Sequence, residues 1–102
     1  TIEHGGVYER LELVRRRLAF KDQVPISNVE MGEAITILKT VLSEKDLHAD
    51  YRAKAHRMIG ELAEVMGDTR VAIENYREAL IHNPKVGVKM AFARIEKGSR
   101  GK

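Results

Sequence analysis

Apolar side chains recur every three or four residues along almost the whole chain, and this spacing limits the possible fold more than any other feature. Val7, Leu11, Val14 and Leu18 set the pattern in the first segment. No stretch of useful length alternates apolar and polar residues as a half-buried strand does. We therefore predict an all-α fold of about five helices.

Caps and breakers in the sequence divide the chain into these helices. Ser27 and Glu30 have the spacing of a capping box, Gly67 can close a helix in the left-handed conformation, and Pro84 suits the first helical position. The predicted helices cover residues 7–20, 28–44, 50–66, 69–82 and 84–97. Since most links are short, we expect neighbouring helices to be antiparallel and to form helical hairpins.

Residues 53–86 carry small and aromatic residues at fixed offsets. In chain order, the pattern positions hold His56, Ile59, Gly60, Ala63, Gly67, Ala72, Tyr76, Ala79, Leu80 and Pro84. A glycine inside a helix costs about 1 kcal/mol relative to alanine. We therefore expect another backbone to pass close to Gly60, with Ala72 and Ala79 as small partners and Tyr76 filling the space between hairpins.

This pattern resembles one tetratricopeptide repeat, with His56 and Ala63 replacing the usual Trp and Tyr. Helices one and two, at about residues 7–46, resemble a degenerate copy. The resemblance implies a right-handed solenoid in a single domain at residues 1–97, with residues 84–97 as a capping helix. We predict a flexible basic tail at 98–102.

The resemblance also implies a function, because tetratricopeptide domains bind peptides or proteins in a groove lined by the first helix of each repeat. The expected function is therefore a non-enzymatic scaffold or adaptor. The predicted partner-binding residues are Lys54, Arg57, Met58 and Glu61 on helix three, with Glu64 as a further candidate, and Arg10 and Arg17 on helix one. One subfamily clamps the C-terminal carboxylate of chaperones, but Glu61 stands at a position where that subfamily has Asn.

The charge distribution leaves other functions open. The net charge is +3, and residues 84–102 contain six Lys or Arg against one Glu. The first alternative is a nucleic-acid-binding domain that uses helix one and the basic tail. The second is an oligomerisation appendage of a larger enzyme, since the chain does not begin with Met and we expect it to be part of a longer protein. Self-association through helix five is a further alternative.

Several classes of function are disfavoured by what the sequence lacks. It contains no cysteine, which excludes disulfides and thiolate chemistry and fits a cytoplasmic location. Its four histidines do not pair at spacings of three or four, so we predict no metal site and no cofactor, with His56 as a filler between helices and His48 and His82 as surface residues. No nucleophile motif indicates an enzyme, and no apolar run approaches the ~20 residues of a membrane span.

Overall fold

The computed structural model describes the backbone of residues 6–100 and the side chains of residues 6–89 and 91–95. Within this part the chain forms five helices and no strand, which confirms the all-α prediction. The helices are α1 (Val7–Ala19), α2 (Asn28–Leu42), α3 (Ala49–Met66), α4 (Thr69–His82) and α5 (Lys89–Arg100). None of them, over the described residues, combines the length and the apolar character that crossing a membrane would require.

The predicted caps fix two of the helix boundaries. The Ser27 hydroxyl accepts the Glu30 N–H, and the Glu30 carboxylate accepts the Ser27 N–H, so the capping box at the start of α2 is confirmed. Gly67 ends α3 in the left-handed region with φ +81°. Asp68 then caps α4 by accepting the Val71 N–H. These short polar contacts hold the tight turn between α3 and α4.

Helices α1 and α2 form an antiparallel hairpin. The Arg10 guanidinium donates to Glu44, just beyond the end of α2, whereas the Arg17 guanidinium donates to Glu30, near its start. The order of contacts along the two helices is therefore reversed. Helix α1 also packs against α3, and α3 in turn packs against α2 and α4.

Apolar side chains at the predicted spacing form two clusters. The first joins α1, α2 and α3 through Leu11, Val14, Leu18, Ile26, Met31, Leu38, Val41, Ala55, Met58, Ile59 and Leu62. The second joins α3 and α4 to the segment before α5 through Ala53, Ala63, Ala72, Tyr76, Ala79, Val86 and Val88. Helix α3 contributes to both clusters, so it is the central helix of the domain.

The predicted start of the fifth helix at Pro84 is wrong, because α5 begins at Lys89. The Asn83 side chain accepts the Lys85 N–H, and the Asn83 carbonyl accepts the Val86 N–H, so the chain turns here. The turn allows both Val86 and Val88 to be buried. On a helix, two residues separated by two positions point in very different directions and could not share one buried face.

The far end of α5 also differs from the prediction. The helix continues to Arg100 instead of ending at residue 97, so the predicted tail at 98–102 begins inside the helix. Residues 101 and 102 of that tail lie outside the described residues. Ala91, Phe92 and Ile95 of α5 are partly buried against the second cluster.

The atoms nearest to a Cβ at Gly60 belong to an aromatic ring, whereas the sequence-based expectation named another backbone. A Cβ atom at position 60 would lie 2.5 Å from Cε1 of Tyr76. The Tyr76 ring is 1% exposed and lies between α3 and α4, inside one hairpin. Asn83, just after the end of α4, donates a hydrogen bond to Asp50 at the start of α3, so α3 and α4 are antiparallel.

We predict that Gly60→Ala destabilises the domain by about 1–3 kcal/mol, because the buried ring cannot move away from the new methyl group. Gly32→Ala is the matched control, since a Cβ atom added to Gly32, inside α2, would have nothing within 4 Å. That substitution should stabilise the domain by up to about 1 kcal/mol. Urea unfolding of both variants measures the difference. Equal stabilisation by the two substitutions would contradict the tight contact with Tyr76.

Candidate partner-binding cleft

The C-terminal part of α1 and the middle of α3 line an open cleft of about 250 Å³, here called the α1–α3 cleft. Its lining residues are Arg15, Leu18, Ala19, Lys21, Arg57 and Glu61. They carry three cationic groups and one carboxylate, and Leu18 and Ala19 add a smaller apolar area. The cleft can therefore accept a ligand that brings negative charge together with some apolar surface.

Arg57 has the least satisfied side chain of the cleft. Its Nε atom is buried and has no hydrogen-bond partner among the described residues. A buried donor without a partner loses its hydration and gains nothing in return, at a cost of about 1–3 kcal/mol. Arg15 differs, because its guanidinium donates two hydrogen bonds to Glu12 on the same helix. Arg57 is thus the cation of the cleft best placed to gain from an added acceptor.

Glu61 supplies the negative charge of the cleft. Burial raises the pKa of its carboxyl, and the nearby Arg57 and Lys21 partly oppose this effect while Glu64 adds to it. Half-buried beside two cations, Glu61 reduces the positive potential of the cleft. It is therefore the residue that opposes binding of an anionic ligand.

Met58 is 2% exposed and belongs to the first core cluster, so its predicted role in partner binding is wrong. It lies three residues after Ala55 and four before Leu62, both of which are buried. This spacing places the three side chains on the same face of α3, toward α1 and α2. Met58 fills the core instead of lining the cleft.

Arg10 and Arg17 are engaged inside the α1–α2 hairpin. Arg17 forms a bidentate ion pair with Glu30 and also donates to the carbonyls of Val24 and Pro25. Arg10 donates to Glu44 at 2.8 Å, and its side chain is only 11% exposed. These contacts fix the hairpin and its link, so the predicted docking face on α1 is not formed by these two arginines.

The two remaining predicted residues also lie away from the cleft lining. The Lys54 ammonium is 5.9 Å from the centre of the Tyr51 ring, in a cation–π contact. Glu64 accepts a hydrogen bond from the Tyr76 hydroxyl and forms an ion pair with Arg94 of α5 at 2.9 Å. Glu64 thus connects α3, α4 and α5. Of the predicted residues, only Arg57 and Glu61 line the cleft.

Sequence reasoning predicted that helix one contributes to the binding surface but missed which of its residues line the cleft. Arg15, Leu18 and Ala19 line it, although the sequence pattern indicates only a core role for Leu18. The signal was available, because positions 15, 18 and 19 are three and four residues apart and share one face of a helix. What the spacing could not reveal is that this face lies beside α3.

A second cavity of about 230 Å³ lies within the first hairpin. Its lining is mainly apolar and comes from α1, α2 and the link between them, with Leu62 of α3. Its charged residues include Arg17 and Glu30, which already neutralise each other. The cavity therefore offers fewer unpaired cationic groups to a ligand than the α1–α3 cleft does.

Comparison of the chain with protein-family models, with curated proteins and with solved structures found no match.

We predict that Glu30→Gln lowers the melting temperature at pH 7 and that the deficit disappears in acid. Hydrogen bonds from Arg17, aided by the Ser27 N–H, hold the pKa of Glu30 below its ordinary value of 4.5. A depressed carboxyl pKa stabilises the folded state fully above the ordinary pKa, and this contribution is lost as the pH falls through the folded-state pKa. Glutamine preserves the capping box, so the substitution tests the ion pair alone.

Thermal unfolding of the wild-type protein and the variant between pH 7 and pH 3 provides the measurement. Glu33→Gln, on the exposed side of the same helix, is the control and should change the melting temperature little. A deficit for Glu30→Gln that persists unchanged at pH 3 would show that the ion pair with Arg17 is not its cause.

Proposed function

We propose that this chain is a non-enzymatic interaction module that binds an acidic segment of a partner protein in the α1–α3 cleft. The observation that carries the proposal is the buried Nε of Arg57, which has no acceptor among the described residues. Arg57 lies beside Lys21 and Arg15 on the wall of an open cleft. A partner carboxylate would match the positive excess of the lining and would compensate the charge of this incompletely hydrogen-bonded arginine.

The arrangement of the helices supports a tetratricopeptide-like architecture as part of this proposal. The α1–α2 and α3–α4 hairpins are both antiparallel, and their first helices are neighbours. Two charge contacts between α1 and α3 show their relative direction. Hydrogen bonds from Arg15 lower the pKa of Glu12, and Lys54 near the start of α3 lies close enough to lower it further. Lys21, just after the end of α1, acts in the same direction on the pKa of Glu61, which lies seven residues after Lys54 on α3. The two first helices therefore run in the same direction, as they do in a stack of hairpins.

The chemistry of the cleft favours binding over catalysis. Its six lining residues include no hydroxyl, imidazole or thiol group, and Glu61 is its one carboxylate. Acid–base catalysis needs positioned proton donors and acceptors that work together on a substrate. Lys21 and Arg57 beside one half-buried carboxylate, with Arg15 already paired with Glu12, leave a positive excess that suits the recognition of an anionic segment. The absence of cysteine in the sequence favours a cytoplasmic setting for this interaction.

The test uses a fluorescently labelled peptide of alternating Glu and Ala residues with a single Leu, measured by fluorescence anisotropy. Arg57→Gln should weaken binding about tenfold, because a charge-assisted hydrogen bond is lost. Glu61→Gln should strengthen binding, because it removes the carboxylate that repels the peptide. Arg70→Gln on α4 is the matched control and should have little effect, since Arg70 is highly exposed and its ion pair, within the described part of the chain, is with Glu74 in the i,i+4 position.

Two outcomes would overturn the proposal. One is unchanged affinity in Arg57→Gln, with a helical circular dichroism spectrum equal to that of the wild type. The other is preferential binding of a labelled single-stranded oligonucleotide with a steep salt dependence, which would favour the nucleic-acid alternative. In that case Arg10 and Arg17 would have to exchange their ion pairs with Glu44 and Glu30 for contacts with phosphate.

A further inference from the structure

His56 of α3 lies close to Glu78 and His82 of α4, although the sequence separates the two histidines by 26 positions. One potential ligand atom from each of the three residues lies within 4.8 Å of the other two. We propose that these three side chains bind a zinc ion that joins α3 to α4. Two imidazoles and one carboxylate are a ligand set that zinc uses in proteins, with a fourth position left for water.

A hydrogen bond to Asn75 orients the His56 imidazole so that it can act as a metal ligand. Its Nδ1 lies 2.9 Å from Oδ1 of Asn75, and the Asn75 amide nitrogen donates to the Val71 carbonyl at 2.9 Å. The second bond fixes the orientation of the amide, so its oxygen faces the imidazole. Nδ1 of His56 must then carry the proton and donate it, which leaves the lone pair of Nε2 available. Histidine ligands of metals are commonly oriented by such a hydrogen bond from the other ring nitrogen.

Glu78 and His82 provide the other side of the site from a single helix. They are four residues apart on α4, which places both side chains on one face. Nε2 of His82 lies 3.7 Å from Oε1 of Glu78. The rings of His56 and His82 are nearly parallel, with their centres 5.9 Å apart. The three potential ligand atoms thus lie close together at the contact between α3 and α4.

Closing around zinc requires only local side-chain movement. With Zn–N and Zn–O distances of about 2.0–2.2 Å, tetrahedral ligand atoms are separated by about 3.3 Å, which is less than the 4.8 Å limit observed. The Glu78 side chain is 51% exposed, and His82 is the last residue of α4. Both can rotate toward His56, which Asn75 holds in place. The site does not share any residue with the α1–α3 cleft.

Isothermal titration of the untagged full chain with zinc chloride, in a buffer that does not bind metals, tests the proposal. We expect saturable binding of one zinc ion per chain and a higher melting temperature in its presence. Cobalt(II), used as a second probe, should give visible absorption bands typical of tetrahedral coordination. Magnesium should produce neither effect, because it prefers an octahedral set of oxygen ligands.

Substitutions of the ligands should weaken zinc binding by at least tenfold for His56→Ala, His82→Ala and Glu78→Gln. Asn75→Ala should weaken it by about tenfold through loss of the orienting hydrogen bond. Glu74→Gln on the same helix, His48→Asn at the start of α3 and His4→Ala are the controls, and each should leave the affinity unchanged. Glu78 is exposed, so its variant should fold even if the substitution of His56 impairs folding.

The absence of saturable zinc binding would overturn the proposal. So would wild-type affinity in both Glu78→Gln and His82→Ala, or loss of binding in His4→Ala alone. None of these results bears on Arg57 and the peptide, so the zinc site and the proposed function fail or stand separately.

Discussion

The contact between Gly60 and the ring of Tyr76 sets the geometry on which the rest of the domain depends. The ring is buried against the backbone of α3 at a point where a methyl group would not fit. Close packing of this kind has few alternatives, because a buried aromatic ring cannot shift without opening a void. With α4 held on one side by this contact, α3 remains available to pack against α1 and α2 with other faces.

Helix α3 therefore contributes residues to two different sites. Toward α1 it presents Arg57 and Glu61, and the two helices leave an open cleft between them. Toward α4 it presents His56, which meets His82 and the oriented amide of Asn75. A bound metal would strengthen the α3–α4 contact without entering the cleft. The proposed interaction surface would then be supported by a more rigid hairpin, since two α4 side chains and one α3 side chain would share one ion.

Arginines in this chain have two roles that composition does not distinguish. Arg17 and Arg10 pair with carboxylates 13 and 34 positions away, and these pairs fix the order and direction of α1 and α2. Among the described residues no acceptor meets the Nε of Arg57, which leaves this arginine less fully hydrogen-bonded than Arg10 and Arg17. The difference follows from which carboxylates the fold brings within reach, and neighbouring residues in the sequence do not reveal it.

Local physics accounts for what the sequence determined by itself. Helical spacing, the Ser27 capping box and the left-handed Gly67 define α2, α3 and α4 to within a few residues, because each depends on neighbours within one or two turns. The buried role of Met58, the delayed start of α5 and the meeting of His56 with His82 were decided by tertiary structure. Each of them depends on which helix lies opposite, and that is set by packing between residues distant in the chain.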